Sequence, residues 1–103
     1  MKILDNERSY IETALANLSI QTNKAINEKC FKGFVVMLPD SDEYLAIHEK
    51  KSSNTAYKWV TSQPSSAVIY QRLIKARRVA QDKEGAIVAM IFEDTQQIYV
   101  VET

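Results

Sequence analysis

Residues 86–92 read Ala-Ile-Val-Ala-Met-Ile-Phe, and residues 98–101 read Ile-Tyr-Val-Val. Both runs are too short to cross a bilayer and are rich in the residue types that favour β-strands. The polar residues 93–97 between them predict an antiparallel hairpin turning at about residues 94–96; the turn type stays open because Asn-Gly and Asp-Gly are absent. Successive strand side chains point to opposite faces, so a run without polar residues must be covered on both. We therefore predict that this hairpin forms the centre of a sheet.

The length and composition are those of one ordinary folded domain, residues 1–103. Hydrophobic residues make up 46% of the chain and charged residues 25%. Thirteen Lys and Arg offset thirteen Asp and Glu, and this balance disfavours nucleic-acid binding and attraction to an acidic membrane. A single cysteine excludes an internal disulfide, residues 1–8 lack the apolar core of a signal peptide, and no segment is long enough to span a bilayer. We therefore expect a cytoplasmic protein without a membrane segment.

The N-terminal stretch has the pattern of an amphipathic helix, with Asp5 or Asn6 as the candidate cap. The pattern weakens after Ser19, and Thr22 could cap one or two further turns to about Lys29. One stripe at helical spacing is predicted to face the sheet; it consists of Leu4, Ile11, Ala14, Leu15 and Leu18.

Three further strands are predicted between the helices, at residues 31–38, 44–49 and 56–61. The first is apolar on both faces, whereas the other two alternate and should form a hairpin on the less buried flank of the sheet. Leaving His48 and Lys58 outside is the less costly arrangement, because burying an unpaired ammonium costs several kcal/mol. The side chains then buried together are Leu45, Ile47, Tyr57 and Trp59.

A second helix is predicted from about residue 65 to residue 81 or 82, after a start signal at residues 62–66 and before Gly85. Its core stripe is Ile69, Leu73, Ala76 and Ala80. The apolar arc is wider than one sheet contact requires. The helix should therefore lie between the sheet and the first helix, or meet another chain.

No residue pattern indicates an active site, a cofactor site or a metal site. Cys30 and His48 occur once each, outside any known local signature, and a Cys–His pair needs a proximity that the sequence does not show. The acidic turn at residues 40–43 lacks the ligand spacing of an EF-hand, and neither glycine begins a phosphate-binding turn. We therefore expect neither an enzyme nor a bound cofactor.

The one basic cluster of the chain lies in the second predicted helix. Lys75 and Arg78 are neighbours on a helix, whereas Arg77 points to another side. A solvated helix face is the first interpretation, and contact of Lys75, Arg77 and Arg78 with an acidic partner or a polyanion is the second.

These patterns predict the α+β class: a single, largely antiparallel sheet of about five strands with two principal helices, in the order α-β-β-β-α-β-β. The leading functional hypothesis is a non-enzymatic protein–protein interaction or adaptor module. The alternative is a nucleic-acid-associated regulator that uses the basic cluster with the loop Lys50-Lys51. The third hypothesis is a small-molecule-binding domain, with Tyr44, His48 and Trp59 as its suggestive groups.

Self-association is expected from the edge of the sheet and from the wide apolar arc. Residues 96–101 contain no Lys, Pro or Gly, the residues that discourage pairing at an edge. A two-fold homodimer would cover both features. The candidate interface residues are Val68, Tyr70, Ile74, Val79, Tyr99 and Val101.

Overall fold

Seven elements make up the fold in the computed structural model, which describes residues 3–51, 54–61, 63–95 and 97–103, and the side chains of these except residues 47–51, 54–57 and 61. They are α1 (Asp5–Thr22), β1 (Phe31–Leu38), β2 (Glu43–Lys51), β3 (Asn54–Thr61), α2 (Leu73–Ala80), β4 (Ile87–Glu93) and β5 (Ile98–Glu102). All five strands belong to one antiparallel sheet, so the predicted α+β class and element order are confirmed.

The strand order across the sheet is β3-β2-β1-β4-β5. β1 therefore lies at the centre, and the prediction that hairpin β4–β5 forms the centre is wrong. β1 and β4 pair from Phe31 opposite Phe92 to Met37 opposite Ile87, and both strands are apolar on both faces. Burial on both faces therefore does not distinguish the central strand from its neighbour.

One face of the sheet, which we call the helix face, is covered by both helices. Phe34 and Phe92 are fully buried there, and the ring centroid of Phe31 lies 5.3 Å from each of theirs. The buried apolar side chains that the helices add are Ile11, Ala14, Leu18, Leu73, Ala76, Val79 and Ala80. The stripe predicted for α1 is thus buried along most of its length, although Leu4 at its start is largely exposed.

The opposite face, which we call the far face, is crossed by a short 3₁₀ turn rather than by an α-helix of the described chain. This turn, Pro64–Ser66, lies against β2 and β5. At the middle of the far face the side chains are buried: Val35, Met37, Tyr44, Ala89 and Ile91. Nearer to β5, Ile98 and Val100 are only half-buried. The far face is therefore closed at its centre and partly open toward β5.

β2 separates from β1 after a short pairing. In the described residues the two strands pair at Met37 with Tyr44 and at Leu38 with Glu43, after which β2 continues with β3 alone. The part of β1 that precedes Met37 therefore needs another partner for its backbone hydrogen-bonding groups on this edge.

Residues 67–70, which we call the crossing segment, occupy this gap. The Val68 N–H donates to the Leu45 carbonyl at 2.8 Å, and Tyr70 and Phe34 exchange two backbone hydrogen bonds of 2.8 Å each. The first residue of the segment packs on the far face and the last on the helix face. The chain therefore passes through the sheet between β1 and β2.

The predicted helix from residue 65 is wrong in its first half, because α2 begins only at Leu73. Val68, Ile69 and Tyr70 are β-branched or aromatic, and such residues favour extended structure. The free edge of β1 offers them a strand to pair with, which the helical spacing of the sequence does not show. Gly33 makes this approach possible. A Cβ at Gly33 would lie 2.5 Å from Cγ2 of Ile69 and 2.9 Å from the carbonyl oxygen of Tyr70.

The predicted hairpin β2–β3 forms, with Leu45 opposite Trp59. A β-bulge between Leu45 and Ile47 then shifts the register, so that Ile47 lies opposite Lys58. Lys58 is exposed as predicted. The predicted burial of Ile47 and exposure of His48 concern side chains outside the described part of the structure.

α1 continues to Thr22 without the break predicted after Ser19. It ends at Asn23, whose φ of 56° places it in the left-handed conformation that often terminates helices. The predicted further turns are reduced to one 3₁₀ turn, Glu28–Cys30, capped by the side chain of Asn27.

Candidate functional site

Most of the predicted interface residues take part in the chain's own packing. The side chains of Tyr70, Val79 and Tyr99 are buried, Val68 and Val101 are half-buried against the helix-face core, and Ile74 is exposed. The wide apolar arc predicted for the second helix is therefore largely covered within the chain itself. The residues before α2 form the crossing segment, and the inner side of α2 packs into the core that α1 shares.

The two edge strands of the sheet differ in their protection. β3 carries the exposed Lys58, and its ribbon with β2 contains the bulge, two features that discourage pairing with a further strand. β5 pairs with β4 in an unbroken register and contains no Lys, Pro or Gly. β5 is therefore the less protected edge.

A groove of about 440 Å³ lies beside this edge on the helix face. Met90 and Val101 of the sheet are apolar and line it. The wall on α1 is formed by Tyr10 and by four short side chains: Ser9, Thr13, Ala14 and Asn17. Three of these follow one another at four-residue spacing and so lie on one side of the helix. The groove exists because this side of α1 is too small to fill the space next to β5.

Two polar contacts lie toward opposite ends of this groove. At one end, Arg77 of α2 donates to the Tyr10 hydroxyl oxygen at 3.0 Å, and its guanidinium carbon lies 5.4 Å from the centroid of the Tyr10 ring. At the other, Lys24 Nζ lies 3.8 Å from Asp94 Oδ2, and the Tyr99 hydroxyl donates to the same carboxylate at 2.8 Å. These contacts join α1 to α2 and the loop after α1 to the β4–β5 turn, which positions the wall of the groove.

The basic cluster is divided by its contacts. Arg72 lies 3.6 Å from Oε1 of Glu7, and Arg77 stacks on Tyr10. Lys75 and Arg78 are exposed, and within the described residues neither forms an ion pair or a side-chain hydrogen bond. Of the three cations predicted to act together, Arg77 therefore has a different environment from Lys75 and Arg78.

Glu7, which no sequence pattern singles out, is the one charged side chain that is buried in the described chain, at 2% exposure. Its carboxylate accepts from the Leu4 N–H at 3.1 Å and from the Leu73 N–H at 2.8 Å. It thus binds the first turns of both α1 and α2, where the helix dipole favours negative charge. Since Leu4 precedes the helix, no Ser, Thr, Asp or Asn capping motif marks Glu7 in the sequence.

The residues considered for chemistry do not form a reactive cluster in the described structure. Cys30 is a half-buried free thiol, and the side chain of His48 lies outside the description. Burial, followed by the nearby Asp42 and Glu102 carboxylates, raises the pKa of Tyr44 above its usual value. The described residues include no group of three or more His, Cys, Asp or Glu that could hold a metal ion. Nor is any described helix long and apolar enough to cross a membrane.

Comparison of the chain with protein-family models, with curated proteins and with solved structures finds no match.

Proposed function

We propose that this protein is a non-enzymatic, cytoplasmic interaction module that works as a homodimer, with β5 of one copy paired antiparallel to β5 of a second copy. The observation that carries the proposal is the unprotected edge of β5, whereas the opposite edge of the sheet, β3, is protected. An open strand edge presents unpaired N–H and C=O groups, which another strand satisfies by continuing the sheet. The single cysteine suits a reducing compartment.

The residues of β5 are compatible with two-fold pairing about Val100. This register places Tyr99 opposite Val101 of the second copy, and aromatic–β-branched pairs contribute about 0.2–1 kcal/mol each. It places Glu102 opposite Ile98 of the second copy, so the two carboxylates do not face each other directly. On the far face, the half-buried Val100 would meet its equivalent at the axis and extend the apolar surface across it.

Sedimentation equilibrium at micromolar concentration tests this proposal, with a dimer of 11.7 kDa chains as the expected species. Val100→Lys should weaken dimerisation by about tenfold or more, because two lysines would lie opposite each other at the axis. Val60→Lys is the matched control. Val60 is also a half-buried valine of an edge strand, and it packs in the same far-face cluster.

A species of 11.7 kDa for the unmodified chain would overturn the homodimer. Equal loss of dimer in Val60→Lys and Val100→Lys would exclude β5 as the contact. Urea unfolding of both variants separates a loss of association from a loss of folding. Val79→Glu would not test a dimer built on the helix, because Val79 is buried and a charge there would disturb the core.

The alternative functions have less support. A nucleic-acid regulator would rely on Lys75 and Arg78, since Arg77 is held on Tyr10 and the side chains of Lys50 and Lys51 lie outside the description. Two free cations neutralise few phosphates, and affinity for nucleic acid depends mainly on their number. A small-molecule site around Tyr44 would have to use a phenol that is already buried in the far-face cluster.

A further inference from the structure

We infer that the outer face of α2, formed by Ile74, Lys75 and Arg78, binds an acidic segment of a partner protein that also carries apolar side chains. This face, which we call the α2 patch, lies on the helix side of the sheet and is distinct from the β5 edge. Ile74 and Arg78 are four residues apart and Lys75 and Arg78 three apart, so the three side chains are neighbours on the helix surface.

The α2 patch is positively charged, and no acidic side chain of α2 compensates this charge. α2 contains three cations and no acid, although the whole chain has no net charge. The other three arginines of the described chain have partners: Arg8 pairs with Glu12 and Glu28, Arg72 with Glu7, and Arg77 with Tyr10. Lys75 and Arg78 therefore present a local positive surface on a neutral protein, which favours a negatively charged occupant.

Interactions that stabilise the fold explain only one of the three residues of the α2 patch. Arg78 lies in the last turn of α2, where a cation interacts favourably with the helix dipole. Lys75 lies in the first turn, where the dipole disfavours a cation, and it gains no ion pair in the described structure. Ile74 is 54% exposed, so it gains little from burial. Two of the three residues thus have no evident role in stabilising the chain.

Ile74 indicates a protein rather than a nucleic acid as the occupant. A phosphate backbone would use the two cations and gain nothing from the exposed isoleucine beside them. An acidic segment with apolar side chains would use all three residues, with an apolar contact at Ile74 and ion pairs beside it at Arg78 and Lys75.

Titration of the full-length, ¹⁵N-labelled protein with a synthetic peptide of alternating glutamate and leucine tests the inference. We expect saturable binding, with the largest amide shifts at residues 71–78. Ile74→Ser, Lys75→Glu and Arg78→Glu should each weaken the affinity by about tenfold, as expected when one central contact or one charge pair is lost. These side chains are exposed, so the variants should fold, and circular dichroism checks this.

Ile20→Ser is the matched control, because Ile20 of α1 is also an exposed isoleucine, at 79%. It should leave the affinity unchanged. A peptide with serine in place of leucine should bind more weakly than the original. Absence of saturable binding, equal binding by the Ile74→Ser variant, or tighter binding of a DNA duplex than of the peptide would each overturn the inference. None of these outcomes depends on dimerisation, which is measured separately.

Discussion

Replacing Glu7 by alanine should lower the free energy of unfolding by about 3 kcal/mol or more, because the change leaves several groups without their partner. The Leu73 N–H would lose its acceptor in a buried position, and the Leu4 N–H would lose its own in a partly buried one. The guanidinium of Arg72, whose side chain is 35% exposed, would lose the carboxylate beside it. Urea unfolding followed by circular dichroism measures the effect.

The size of this effect follows from the position of one carboxylate at two helix starts. Hydrogen bonds to a charged group contribute about 1.5–3 kcal/mol each, and a buried donor left unsatisfied costs its desolvation. Glu7→Gln should be less damaging, because the amide oxygen can still accept one of the two bonds.

Glu12→Ala on the same helix is the control. Glu12 is 65% exposed in a 3.9 Å ion pair with Arg8, and such surface pairs contribute about 0–1 kcal/mol. If Glu7→Ala were no more damaging than Glu12→Ala, the role of Glu7 in joining the two helices would be refuted.

Gly33→Ala is the second large change, with an expected loss of about 3 kcal/mol. The new Cβ would lie 2.9 Å from the carbonyl oxygen of Tyr70, and that oxygen accepts the 2.8 Å hydrogen bond that joins the crossing segment to Phe34. Ile69 can move its side chain away, but the backbone of Tyr70 cannot move without weakening this bond. The φ of +144° at Gly33 adds strain for any residue with a Cβ.

Gly85→Ala separates the two causes. Gly85 also has a positive φ, of +83°, yet a Cβ there would meet nothing within 4 Å. Only backbone strain of about 1–2 kcal/mol is expected. Equal losses in the free energy of unfolding for Gly33→Ala and Gly85→Ala would mean that the close approach of the crossing segment does not require glycine at position 33. Adding Ile69→Ala to Gly33→Ala should recover only part of the loss.

Local patterns were sufficient for most of the fold. The first strand was predicted at residues 31–38, where β1 lies, because its apolar run is bounded by polar turns. The second helix was predicted to begin too early in the chain, because Val68 and Tyr70 fit a helical stripe as well as a strand. Their structure is decided by the free edge of β1, which depends on where β2 leaves the sheet. An isolated glycine in an apolar strand does signal close approach of another backbone, and Gly33 could have been interpreted in this way.

Features of the candidate surfaces were predictable from the sequence only where they depend on residues that are close together in the chain. β5 lies at an edge of the sheet although its sequence contains no Lys, Pro or Gly, the residues that discourage pairing there. The groove beside β5 depends on the side that α1 turns toward the sheet, which short polar side chains do not reveal. The separation of Arg77 from Lys75 and Arg78 was predicted from helical geometry. Its stacking on Tyr10, 67 residues away in the chain, was not accessible in this way.

The passage of the crossing segment through the sheet should divide the protein into two cooperative units. Strands β1, β4 and β5 share a continuous ladder. In the described residues, hairpin β2–β3 joins β1 directly through two residue pairs, and indirectly through the crossing segment, where Val68 bonds to Leu45 and Tyr70 to Phe34. Withdrawal of residues 67–70 would release the hairpin and leave the rest of the ladder intact. In native-state hydrogen exchange, the amides of the hairpin and of Val68 and Tyr70 should then open together, at a lower free energy than those of Val35 and Ile91.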